Sequence, residues 1–288
     1  MKPTMPLASK ESLDRKMQAH AGQDRRLAEL FAANKLPLPD NELLANIHRR
    51  RGDLQAAATE ILRLHASGNA SPVVALFHAI FTRQGAPARM PETDFAPAPF
   101  VVLDDFLGRE TNRRLLDDAL ARESIFTTTE LQNSDEYGRQ QRTNLVTYDV
   151  GAAGEALCAL VRQHYPLVCA RLNMPAPALQ FIQRKIAAYR HGDYFNAHQD
   201  NGLNHKDRRI SFVYYFHQEP KPYRGGDLLL YDSRFDPRAY VRTLFTRIVP
   251  RNDSIIFFPS EYFHEVVAVD TDVGEFSASR FTIAGHLG

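Results

Sequence analysis

Apolar residues recur at helical spacing over roughly the first 85 residues of the chain. Two of these stretches follow a candidate capping residue, Asp40 or Asp53, and a third follows Ser71 and a first-turn proline. The pattern predicts a small array of helices. The apolar positions that carry this prediction are Leu27, Leu30, Phe31, Leu43, Leu44, Ile47, Leu54, Ala57, Ile61, Leu62, Leu64, Val73, Val74, Leu76, Phe77, Ile80 and Phe81.

The periodicity changes after residues 84–99, which contain four prolines and no apolar period, as expected of a linker. A strand at 100–107 and helices at 110–122 and 153–172 follow. The rest of the chain consists of short β-rich runs separated by turn residues. These runs cover residues 181–189, 210–217, 227–231, 241–248, 254–258, 264–269 and 279–286.

Many short strands that follow a helical layer favour a mainly β fold with added helices, of the α+β class. A sandwich or a jelly-roll barrel with helices packed on one face fits this order of elements. We therefore predict a helical segment over residues 1–95, which ends in the proline-rich linker, and a β domain over residues 96–288.

Charge and composition exclude several classes of function. A net charge of +1 gives no bulk field for nucleic acid or an anionic membrane. No apolar run is long enough to cross a bilayer, and the first residues lack the apolar core of a signal peptide. Cys158 and Cys169 share one predicted helix and would lie roughly 16 Å apart, too far for a disulfide. A cytoplasmic protein is expected.

His198 and Asp200 form a His-x-Asp pair, and His264 follows in a later β-rich run. On a strand, residues two apart share a face, so the first two side chains are predicted to point the same way. Two imidazoles and one carboxylate are the ligand set of non-haem Fe(II) oxygenases. Zinc is a competing metal, and a structural histidine with a hydrogen-bonded carboxylate is the alternative to a metal site.

The residues around this trio resemble the Fe(II)- and 2-oxoglutarate-dependent dioxygenases, in their prolyl 4-hydroxylase-like branch. The similarity covers most of residues 98–288, with family motifs in order at 189–200, 209–216, 223–228, 248–269 and 279–283. It implies a double-stranded β-helix, or jelly roll, with the metal at one mouth of the barrel. His198, Asp200 and His264 would then bind Fe(II).

The same resemblance implies a cosubstrate site. Arg280 and Thr282 alternate on the last predicted strand and share a face, and a guanidinium is a natural bidentate partner for a carboxylate. By resemblance, Arg280 holds the distal carboxylate of 2-oxoglutarate with help from Thr282, and Tyr189 and Tyr215 match tyrosines that contact it.

The stretch between His264 and Arg280 is longer than is usual in the family. Residues 270–275 are polar, so we predict an extended hairpin loop there. The less favoured candidates for the role of Arg280 are Arg242, Arg247 and Arg251.

The implied function is hydroxylation of a C–H bond in an amino-acid side chain, free or peptidyl, with succinate and CO2 as coproducts. Fe(II), 2-oxoglutarate and O2 are the implied cofactors, and ascorbate is a further candidate. Two alternatives stay open, namely the same chemistry on another small metabolite, giving desaturation or cyclisation, and a non-enzymatic scaffold whose helices bind a partner. The helical segment could also brace the barrel or form a homodimer. Neither nucleic acid nor membrane is expected as a partner.

Overall fold

The structure is a computed structural model that describes residues 10–69, 71–82, 94–128, 142–202, 205–272 and 274–288. Six α-helices and two 3-10 helices are present in these ranges. The α-helices are α1 Lys10–Ala32, α2 Leu43–Arg51, α3 Leu54–Ala66, α4 Pro72–Thr82, α5 Arg109–Ala121 and α6 Gly151–Arg171, and the 3-10 helices are Glu123–Ile125 and Phe276–Ala278.

Thirteen strands occupy the same described ranges. They are β1 Val101–Leu103, β2 Thr127–Thr128, β3 Leu145–Thr147, β4 Ile182–Tyr189, β5 Phe195–His198, β6 Ile210–Phe216, β7 Arg224–Gly225, β8 Leu228–Phe235, β9 Arg238–Ile248, β10 Ser254–Pro259, β11 His264–Val266, β12 Val269–Asp270 and β13 Arg280–Leu287.

The strands pair antiparallel in two main sheets. One has seven strands in the order β1-β10-β6-β13-β4-β3-β2, and the other has four in the order β5-β11-β8-β9. Strands β12 and β7 form a small third sheet. Buried residues of both main sheets, such as Ala187 and Leu230, belong to one apolar cluster, so the sheets face each other across a shared core. The predicted mainly β jelly roll of the α+β class is confirmed.

Both faces of the seven-stranded sheet are buried. Its side chains point alternately to the two faces, and each face packs against a different layer. Ile186 packs into the cluster that contains α5 and α6, whereas Ala187 faces the core between the sheets. Cys158 and Cys169 are buried free thiols of α6, as their place in one helix predicts.

The helix boundaries agree with most of the predicted caps. Asp53 accepts a hydrogen bond from the backbone of Ala56 (3.0 Å), and Ser71 accepts one from Val73 (3.2 Å). The predicted cap at Asp40 is wrong. Asn41 supplies the side-chain oxygen there and accepts from Leu43 N (3.1 Å), because it lies within reach of the first turn of α2.

Two predicted strands and one predicted loop differ from the structure. The strand predicted at 100–107 ends at Leu103, and Phe106 N instead donates to Asp253 O (3.0 Å). The run at 264–269 divides into β11 and β12 because the second half pairs with β7 in another sheet. Residues 270–275 are not a simple hairpin loop, since Asp270 pairs with Arg224 and a 3-10 helix follows; Val273 lies outside the described residues.

The predicted linker lies largely outside the described residues, which resume at residue 94. The helical segment contacts the four-stranded sheet through α2. Arg49 is 1% exposed, and its guanidinium reaches Asp232 of β8 and Thr246 of β9. The division of the chain at residue 95 stays a prediction. Among the described residues, no helix combines the length and apolarity that crossing a membrane requires.

Candidate active site

The paired ends of β5 and β11 bring the two predicted histidine ligands together. His264 lies directly opposite His198 in the antiparallel register. Nδ1 of His198 contacts Asn196 O (2.8 Å), and Nδ1 of His264 contacts Tyr262 O (3.0 Å). A carbonyl accepts, so each Nδ1 carries the proton, and each Nε2 keeps a free lone pair for a metal.

Asp200 completes the trio from the turn that follows β5. Its Oδ1 lies 3.4 Å from His198 Nε2, and its Oδ2 lies 3.3 Å from His264 Nε2. The predicted reason for this proximity is wrong, because β5 ends at His198 and strand alternation does not place Asp200. The backbone of Asp200 donates instead to Ser260 O (3.0 Å), which ties the turn to the chain just after β10.

The surroundings of Asp200 keep it ionised. Burial by itself raises the pKa of this carboxyl, but attraction to the facing side chains of His264, His286 and His198 outweighs it and holds the pKa well below its ordinary value. Ser211 Oγ also donates to Oδ2 (2.6 Å). Burial lowers the pKa of His198, whereas the Asp200 carboxylate raises that of His264 against the effect of burial.

The donor set fits a divalent transition metal. One ligand atom from each of His198, Asp200 and His264 lies within 4.8 Å of the others. No fourth histidine, cysteine or carboxylate of the described residues joins this group. Three protein ligands of this type suit Fe(II) and leave coordination positions for other molecules.

The guanidinium of Arg280 lies buried in the barrel, 1% exposed. The rings of Tyr189 and Tyr215 flank it, with centroids 5.0 and 5.1 Å from its central carbon. Its Nε donates to Gly226 O (2.6 Å), but one terminal nitrogen and the Tyr215 hydroxyl are buried without a partner in the described structure. Buried donors of this kind are costly unless a ligand satisfies them, and a carboxylate would pair with both.

Arg280 and the trio line one cavity. Thr282 lies between them, because Arg280, Thr282, Ala284 and His286 alternate inward along β13. Its walls also include apolar side chains, among them Leu228, Phe258 and Val266. The structure therefore places the predicted metal ligands, Arg280, Thr282 and Tyr189 on one cavity, with Tyr215 stacked beside Arg280.

The alternative arginines lie elsewhere. Arg242 approaches Glu265 (3.8 Å), Arg247 pairs with Asp227 (2.7 Å), and Arg251 pairs with Asp104 (2.6 Å). None of the three is among the residues that line the described cavity.

Sequence reasoning missed three polar residues of this cavity, namely Lys185, Ser211 and His286. A usable signal existed for all three, since Ser211 has the same parity as Tyr215 on β6. Lys185 has the same parity as Tyr189 on β4, and His286 has the same parity as Arg280 on β13, so each shares a face with a predicted site residue.

Comparisons with known proteins agree with this arrangement. Residues 184–288 match the sequence model of the 2OG-Fe(II) oxygenase superfamily. An uncharacterized PKHD-type hydroxylase of Synechocystis sp. is 31% identical over 200 residues, which are 68% of this chain and 65% of the relative. The match thus spans slightly less than two thirds of that relative's length.

Two solved structures are similar in fold. A prolyl-4-hydroxylase from Pseudomonas putida is 18% identical with a TM-score of 0.48, and the match covers 65% of this chain and 91% of that one. A prolyl hydroxylase from Trichoplax adhaerens, solved with a hypoxia inducible factor peptide fragment, is 18% identical with a TM-score of 0.47 and coverages of 65% and 82%.

Proposed function

Residues 184–288 belong to the 2OG-Fe(II) oxygenase superfamily, and from this premise we propose that the protein is an Fe(II)- and 2-oxoglutarate-dependent hydroxylase. The bond that it hydroxylates is a C–H bond of an amino-acid side chain, free or peptidyl. Succinate and CO2 are the coproducts. The observation that carries the proposal is the single cavity that joins a His-Asp-His trio to a buried guanidinium with an unpaired nitrogen.

Each end of the cavity has a separate task. His198, Asp200 and His264 would hold the iron through two Nε2 atoms and one carboxylate. Arg280, with Thr282 and Tyr215 beside it, would hold the distal carboxylate of 2-oxoglutarate. Bound iron, with 2-oxoglutarate and O2, supplies the oxidising power. The protein contributes the orientation of the ligands and an apolar wall that excludes water.

Removal of the carboxylate ligand tests the proposal. Asp200→Ala should abolish succinate formation and weaken Fe(II) binding, since two histidines alone remain. Far-UV circular dichroism should be unchanged, because Asp200 lies in a turn and not in an apolar cluster. Asp207→Ala, an exposed carboxylate on the next turn, is the matched control and should behave as wild type.

Near-normal succinate formation by Asp200→Ala would overturn the assignment. Failure of the wild type to bind 2-oxoglutarate, or to form any succinate with Fe(II) and O2, would overturn the function itself.

A further inference from the structure

A second cation lies in the cavity and has no assigned role. Lys185, on β4, points inward opposite Ala284, whose small side chain leaves room beside it. Its ammonium forms no hydrogen bond or ion pair with any residue that the structure describes. Burial, followed by the positive charge of Arg142, lowers the pKa of Lys185 to about 8, so the group stays mostly protonated at neutral pH.

The charges around the cavity do not balance. Asp200 is the one carboxylate among the residues that line the described cavity, whereas Lys185 and Arg280 are both cationic. Asp200 serves the metal and Arg280 serves the distal carboxylate of the cosubstrate. Lys185, which is half-buried in the cavity wall, is then left without an anion of its own.

Two arginines add positive charge near Lys185. The Arg142 guanidinium lies over the ring of Phe195 (5.3 Å), which lines the cavity and stacks on His198 (3.6 Å). Arg208 donates to Asp200 O (3.3 Å) and to Gln183 Oε1 (2.8 Å). Both acceptors of Arg208 are neutral, and the carboxylates of Asp200 and Asp207 act on its charge only through space. A positive field at a concave site raises the local concentration of anions.

We propose that Lys185 binds a carboxylate of the substrate, and that this substrate is a small carboxylic acid such as a free amino acid. The inference rests on the proposed function and narrows its substrate class. Lys185 lies opposite Ala284 on β13, and His286, two residues further along that strand, lies 3.6 Å from Asp200. An acid bound by Lys185 would therefore lie on the side of the cavity that holds the metal ligands. A neutral residue inside a polypeptide offers Lys185 no anion.

Equilibrium binding to the loaded protein provides the test. Wild-type protein is loaded with 2-oxoglutarate and Mn(II) in place of iron, which allows titration without turnover. The probes are the proteinogenic L-amino acids, the same amino acids as α-carboxamides, and N- and C-terminally capped peptides that contain them. Isothermal titration gives the affinities, and succinate formation by the Fe(II) form gives the coupled activity.

At least one free acid should bind and stimulate succinate formation, and its carboxamide should bind at least tenfold more weakly. Lys185→Met should weaken binding of the acid by about ten- to 100-fold, which is the usual contribution of a hydrogen bond between charged groups. The affinity of this variant for the acid should then be close to its affinity for the carboxamide. Lys185→Arg should retain part of the affinity. The control Lys206→Met removes an exposed lysine outside the cavity and should change nothing.

Three results would each overturn the inference. The first is equal affinity for the acid and its carboxamide. The second is that no acid of the panel binds. The third is that a capped peptide binds more tightly than any free acid. A fourth result concerns the cosubstrate. If Lys185→Met weakens the binding of 2-oxoglutarate and leaves the affinity for the acid unchanged, Lys185 binds the cosubstrate and the inference is wrong. Binding of 2-oxoglutarate to the wild type, and succinate formation without substrate, are measured in parallel. If both are present, only this inference has failed; if both are absent, the proposed function has failed as well.

Discussion

Replacement of Arg49 should weaken the contact between the helical segment and the barrel and lower the free energy of unfolding by an amount that the structure allows us to estimate. Its guanidinium contacts both carboxylate oxygens of Asp232 (2.5 and 3.4 Å) and donates to Thr246 Oγ1 (3.0 Å) and Asn46 Oδ1 (2.7 Å). The ring of Phe77 lies 4.1 Å from its central carbon. The side chains of Arg49 and Asp232 are only 1% and 6% exposed, so water screens the pair very little.

Arg49→Met keeps an apolar chain in place but leaves Asp232 as a buried charge without its cation. Loss of one partner from a buried pair costs about 3–5 kcal/mol, so the free energy of unfolding should fall by that amount. Asp232→Leu should cost a similar amount for the same reason. The double replacement removes both charges and should fall within about 1 kcal/mol of wild type, or exceed it.

Urea unfolding followed by far-UV circular dichroism measures these free energies. Arg51→Met is the matched control, since Arg51 is exposed in the same last turn of α2, and its effect should stay within about 0.5 kcal/mol. The reasoning is refuted if Arg49→Met costs less than about 1 kcal/mol, or if the double variant is no more stable than the single ones. The result matters for function because β8 pairs with β11, the strand of His264.

Three further predictions concern the cosubstrate, the helices and pH. Arg280→Ala should weaken 2-oxoglutarate binding by about 2–5 kcal/mol in isothermal titration, with Arg251→Ala unchanged; an unaltered affinity would move the role to another arginine. Deletion of residues 1–85 should give an insoluble or dissociated protein, because Leu54, Ile80 and Phe81 pack against the barrel core and α2 contacts β9. A soluble, monodisperse truncation of unchanged oligomeric state would contradict bracing. Affinity for the acid probe should fall as the pH rises past about 8, where the Lys185 ammonium loses its proton. Lys185→Arg should shift this loss of affinity to higher pH. A wild-type affinity that stays constant through that pH would argue against a role for Lys185.

Local sequence patterns were sufficient for much of the fold because they reflect local causes. Asp53 caps α3 through its own backbone neighbour, and the alternation along β4 and β13 follows from strand geometry. The motifs around His198 and His264 likewise identified a family whose sequence model matches residues 184–288. The placement of these residues on one cavity agrees with that interpretation.

Local pattern was misleading where a distant partner determines the conformation. Asp200 was expected on a strand, but it lies in a turn whose backbone is held by Ser260, a residue far away in sequence. The run at 264–269 was expected to be one strand, but its second half pairs with β7 in a separate sheet. Neither partner can be read from the spacing of apolar residues.

The sequence by itself determined the helices and the longer strands, the residue types that could bind a metal and a carboxylate, and the family that they resemble. Only the tertiary structure decided which charges are buried and which of them are paired. Arg49 and Arg280 are equally buried arginines, yet Arg49 pairs with Asp232 across the fold while one nitrogen of Arg280 has no hydrogen-bond partner in the described structure. Burial and pairing depend on groups brought together from distant parts of the chain, and the cost of an unpaired buried charge arises only when they are assembled.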